Sequence, residues 1–186
     1  MNKWAVCIHE AGHAVVAHVL GYQGTNAIII PGGKGGFVDH DQDGKLIETP
    51  RDARRAALVL FAGPAAEIMF LPPADRISFN GECDLGPNSD ARRIIEIAKT
   101  WGGSDFGQWH QDMWDRAHTI VGFYKAAIRE GAERLMNDKP LTSFTYPLIK
   151  LKPRPNLYGE FSVPTKRNGP DPELPKALQG ANDGDS

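Results

Sequence analysis

The chain has 186 residues, 41% of them apolar, which suits one domain with a substantial core and a tail. Its 21 Lys and Arg against 23 Asp and Glu leave a formal charge of -2, which excludes a global attraction to nucleic acid or to an anionic membrane. Two cysteines, Cys7 and Cys83, exclude a disulfide framework and read as reduced thiols, and no apolar run reaches the roughly 18 residues of a membrane span. The amino terminus lacks the long apolar segment of a secretory signal, so the expected compartment is the cytoplasm.

Residues 4–20 read as a first helix. Cys7, Ile8, Ala11, Val15, Val16 and Val19 recur near helical spacing, and Gly21 follows as a stop. Ala27-Ile28-Ile29-Ile30 is a β-branched run closed by Pro31, hence a strand that could offer its edge to an extended peptide. The Gly32–Gly36 stretch is a turn, not a phosphate loop, because no G-x-x-x-x-G-K-[ST] spacing is present. Phe37-Val38 begins a second strand.

A second helix starts at Thr49-Pro50, where Thr caps and Pro suits the first turn, and runs to Phe70. Apolar around much of its girth from Ala56 to Ala62, it is expected in the middle of the domain. Pro72-Pro73 ends it and residues 74–88 read as loop. A third helix spans Ser89 to Trp101, and one long helix is expected over Gln108–Met136, broken by Asn137-Asp138-Lys139-Pro140. The class that results is mainly α with a short two-stranded β element after the first helix. Residues 1–140 form the domain, 141–162 a partly ordered extension, and the proline-rich 163–186 a disordered tail.

His9-Glu10-Ala11-Gly12-His13 is an H-E-x-x-H motif. Four residues of helix turn through about 400° and rise ~6 Å, so both imidazoles leave the same face one turn apart. Two ring nitrogens can then meet one zinc ion, and Glu10 beside them can take a proton from the metal's water and give it to a leaving amine. Such chemistry needs no nucleophilic side chain. The bland alternative is a solvated pair of helical histidines. A catalytic zinc usually has a third protein ligand, which must come from elsewhere, since no H-E-x-x-H-x-x-G-x-x-H extension follows.

The segment Val6–Ala17 closely resembles the zinc-site helix of the FtsH-type ATP-dependent metalloproteases. Further segments are similar in the same order. Ile28-Ile29-Ile30-Pro31 and Gly35-Gly36-Phe37 look like that family's strand and turn. Leu60–Glu67 resembles its L-x-G-R-A-A-E helix with Pro64 in the place of Arg, and Ser89-Asp90-Ala91-Arg92-Arg93 resembles its N-D-x-x-R segment. The resemblance covers residues 4–140. It implies a zincin-like helical metallopeptidase domain that binds Zn2+ and hydrolyses peptide bonds in flexible or unfolded polypeptides, with Asp90 as the third ligand. Asp90 opens the third helix, where a carboxylate is well held, while Asp84 and Cys83 are the rival ligands. Glu67 is expected to support a ligand histidine or to be a buried structural carboxylate.

The family's proteases carry an AAA+ ATPase module, and no Walker A or B segment is present here. The resemblance therefore implies a polypeptide substrate, a separate AAA+ ATPase subunit as partner, and a homo-oligomer as an open question. The competing reading is a non-catalytic zinc-binding relative that serves such an ATPase as an adaptor or regulatory module. Intact Glu10 argues against it, since a structural zinc needs no general base.

Of the other polar residues, His18 is expected to face solvent. Asp39, Asp41, Asp43 and Gly44 echo part of a calcium loop, but Pro50 stands where its last acidic ligand belongs, so a solvated acidic loop around His40 is expected. His110 and His118 read as helix residues of the surface or core edge. Trp101, Trp109 and Trp114 read as core or interface aromatics rather than a stacking platform, for want of a basic stripe.

Overall fold

In the computed structural model, residues 2–41, 46–78 and 89–142 are described; all belong to one compact unit, Met1–Pro153. The order is α1 (Lys3–Val19), β1 (Asn26–Ile29), β2 (Gly36–Asp39), α2 (Pro50–Phe70), α3 (Asp90–Trp101), α4 (Phe106–Phe123) and α5 (Lys125–Met136). The protein is mainly helical, with a small antiparallel sheet after the first helix. No described helix is long and apolar enough to cross a membrane.

Caps fix where the helices begin. The Asn2 side chain accepts the Trp4 amide at 3.0 Å. Thr49 accepts from the Asp52 amide at 3.2 Å while its hydroxyl donates to the Asp52 carboxylate at 2.6 Å. Ser89 accepts from the Arg92 amide at 3.3 Å and so sets Asp90 as the first residue of α3. Each cap satisfies an amide that the helix itself leaves without a partner.

The helix at the centre is α1 rather than α2. Every residue of α1 except Lys3, Trp4, His9 and His18 is buried, enclosed by α2, α5 and the hairpin. The apolar girth of α2 has another cause: one side meets α1 and the other meets α4, while Ala56 and Leu58 stay only partly buried. Backbones approach closely at Gly12, where a Cβ would stand 2.6 Å from the Ala62 carbonyl oxygen and 2.9 Å from the Ala66 Cβ. Pro64 lies inside α2, which continues through it although one i→i−4 bond is lost.

The single helix expected over 108–136 is two, broken at Tyr124, whose φ and ψ of -99° and 16° leave the helical basin. The break lets α4 lie along α2 and α5 along α1. Trp101, Trp109 and Trp114 pack, partly buried, against the cluster of Phe61, Ile94, Met113 and Ala117, as expected.

The hairpin pairs Asn26 with Asp39, Ala27 with Val38, Ile28 with Phe37 and Ile29 with Gly36. The edge of β1 expected to be open is partly occupied. Ala27 exchanges both backbone hydrogen bonds with Leu141, at 2.8 and 3.0 Å, and Leu141 is itself fully buried. The fold thus extends past Pro140; the expected extension and tail beyond Thr142 lie outside the described residues. Ile30 donates to the Gly35 carbonyl at 2.9 Å, so by alternation Gly36 and Val38 turn their N–H and C=O groups away from β1. No described strand pairs with that outer edge of β2.

Candidate metal centre

His9 and His13 leave α1 one turn apart, and the start of α3 brings Asp90 to meet them. His13 Nε2 is 2.8 Å from His9 Nε2 and 2.9 Å from Asp90 Oδ2, and His9 Nε2 is 3.2 Å from the same oxygen. The rings stand edge to face, their planes 78° apart. The expected three residues are therefore brought together, and among the described residues they form the group of metal-ligating atoms that could hold an ion.

The proton inventory is compatible with a cation held by this cluster. His13 Nδ1 is 2.7 Å from the Val59 carbonyl oxygen, which can only accept, so that nitrogen carries the proton. His9 Nδ1 is 2.5 Å from Glu67 Oε1 and donates to that carboxylate. With both Nδ1 positions committed, neutral rings turn bare Nε2 lone pairs on each other and on Asp90 Oδ2. Three lone pairs at such distances repel unless a proton or a metal ion lies between them. Ligand atoms around a tetrahedral zinc are ~3.3 Å apart for bonds of about 2.0–2.1 Å, close to the separations here. The N, N, O donor set and an open side at Asp90, whose side chain is 28% exposed, fit a cation of borderline softness.

Electrostatics agree with the geometry. Burial alone would lower the His9 pKa; hydrogen bonds to Asp90 and Glu67 reverse this and carry it from 6.5 up to about 10. Burial acts upward on Asp90, but His13 and His9 outweigh it and hold its carboxyl far below the usual range. In the metal-free chain the centre therefore keeps a proton in the position a cation would take.

Glu10 is 8% exposed. Burial raises its pKa, while His9 and His13 pull it the other way. The hairpin closes over it at Gly36, where a Cβ would stand 2.6 Å from Glu10 Cγ. A carboxylate with raised proton affinity beside a cation site suits a general base.

Glu67, fully buried on α2, accepts from His9, an arrangement open to both expectations, the supporting and the structural carboxylate. Burial raises its pKa, yet the hydrogen bond and charge of His9 together with the two hydrogen bonds from Ser78 outweigh this, and the net shift is downward. Four further participants take no role from the sequence alone, although Gly36 and Gly63 fall within the segments that carry the resemblance. The Ser78 amide donates to Glu67 Oε2 at 3.0 Å and its hydroxyl to Oε1 at 2.5 Å. The Val59 carbonyl fixes the His13 ring. Gly63 makes room for both imidazoles, since a Cβ there would overlap His13 Nε2 and lie 2.7 Å from His9 Cε1. Gly36 does the same for Glu10.

The remaining histidines stand apart from the cluster. His18, expected in solvent, is half-buried in the last turn of α1. His40 stacks on Tyr22 at 4.5 Å and is half-buried between the exposed Asp39 and Asp41, the latter accepting from the Gln23 amide at 2.9 Å; residues 42–45 of the expected acidic loop lie outside the described residues. His110 meets the Phe61 ring edge on at 4.9 Å. Cys83, Asp84, Asp43 and Gly44 lie outside the described residues. In comparisons with known proteins, no family model matches the chain, and no curated protein matches it.

Proposed function

We propose that the chain is a zinc-dependent metalloendopeptidase with a zincin-like helical domain, similar to the peptidase half of the FtsH-type proteases. The observation that carries the reading is the convergence of His9 Nε2, His13 Nε2 and Asp90 Oδ2 within 4.8 Å of one another, with buried Glu10 next in sequence to His9. A zinc ion held by these three side chains supplies Lewis acidity, which acidifies water and polarises a scissile carbonyl. Glu10 takes the proton of the attacking water at its carboxylate and delivers it to the departing amine nitrogen. Glu67 and the Val59 carbonyl keep each imidazole proton on Nδ1 and so keep each Nε2 free to bind. The outer edge of β2, beside Glu10, is where an extended polypeptide would add as a strand, which suits flexible or unfolded substrates.

Glu10→Gln separates catalysis from metal binding. Cleavage of an unfolded protein such as casein should fall by at least about a hundredfold with zinc content unchanged. Zinc in both proteins with cleavage in neither would replace the enzyme by a zinc-binding adaptor for a separate ATPase.

A further inference from the structure

Glu67 is a carboxylate with no exposed surface. A charge so enclosed must be met by hydrogen bonds. Two of the donors that reach it come from one residue of the loop after α2: the Ser78 amide on Oε2 at 3.0 Å and the Ser78 hydroxyl on Oε1 at 2.5 Å. The third is His9 Nδ1, on the same Oε1 at 2.5 Å, and the Ser78 oxygen is itself 3.3 Å from that nitrogen. The carboxylate plane is thus held at both oxygens by Ser78, and the remaining direction at Oε1 points at the His9 ring.

We propose that Ser78 is a positioning residue of the metal centre: through Glu67 it holds the His9 ring so that Nε2 points at the cluster. The inference rests on the metal-binding reading above and extends it to a residue eleven positions beyond Glu67. The hydroxyl keeps Glu67 oriented and ionised without occupying the metal's own surroundings. Without it, an enclosed oxygen loses its second donor, and Glu67 and His9 are free to rotate together. Partners that hold a ligand histidine in this way are typically worth about 10–100-fold in metal affinity.

The test is zinc affinity by chelator competition on the full chain, for wild type, Ser78→Ala and Ser78→Thr. Thr keeps the hydroxyl and Ala removes it at little cost in packing. The expected result is affinity lower by about tenfold in Ser78→Ala and within about twofold of wild type in Ser78→Thr. Equal affinities for the two variants, whether both high or both low, would overturn the role of the hydroxyl. A second arm combines Ser78→Ala with Glu67→Gln. If Ser78 acts through Glu67, the double variant loses less than the product of the two single losses. Independent losses overturn the coupling. Failure of the wild type itself to bind zinc would overturn the metal centre, and this inference with it, and is distinguishable from both.

Discussion

At Gly63 the absence of one atom decides whether the centre can exist. A Cβ at that position would overlap His13 Nε2 and press on His9 Cε1 at 2.7 Å, so both rings would have to shift from their present places. Gly63→Ala should therefore lower zinc affinity by at least about tenfold, at an overpacking cost of roughly 1–3 kcal/mol. Chelator competition beside denaturant unfolding checks both numbers; unchanged affinity would contradict the placement of the rings. This is also the scale at which the sequence is most and least legible. His9, Glu10 and His13 are readable because helical geometry forces positions four apart onto one face. Ser78 and the Val59 carbonyl are not, and Gly63 is marked only as part of the resembling segment, because their roles exist only once α2 has approached α1 and the following loop has turned back.

Among the elements, helices with caps and apolar stripes could be read almost to the residue. Thr49-Pro50 and Ser89 mark their starts as expected. The break at Tyr124 could not, since Ile120, Tyr124 and Ile128 continue one stripe through it and only the change of packing partner from α2 to α1 separates the two halves. The hairpin was readable as two strands, but the state of its edges was not. Leu141 closes part of the β1 edge from more than a hundred residues away, and among the described residues it is the outer edge of β2 that no strand pairs with. Val38 turns its amide outward there, a place where proline is tolerated in a sheet. Val38→Pro should thus raise KM for an unfolded substrate by roughly two- to tenfold, the worth of one hydrogen bond, and leave zinc content unchanged. Steady-state kinetics with metal analysis decide it; an unaltered KM removes β2 as the substrate's strand partner.

For the whole molecule, the centre links metal, protons and stability. The folded metal-free chain holds the His9 proton up to about pH 10, against an ordinary 6.5. A raised folded pKa stabilises fully below the unfolded value and less as pH climbs toward the folded one. Metal-free protein should accordingly lose stability between about pH 6.5 and 10. Glu67 and Asp90 are depressed, so their contribution is present above the ordinary carboxylate values of 4.5 and 3.8 and is lost on acidification. Bound zinc takes the place of the proton, so the loaded protein should show no such alkaline loss. Melting temperatures across this range, with and without chelator, test it; parallel curves would contradict it.

The proposed zinc site is built by two histidines of α1 and one remote carboxylate at the start of α3. It is tested most directly by the zinc content of purified wild type and Asp90→Ala, measured by elemental analysis with helix content as the control. The wild type should hold about one zinc per chain, and the variant should retain it at least tenfold more weakly. Full retention in Asp90→Ala would hand the third ligand to another residue, and a wild type without zinc would contradict the site altogether.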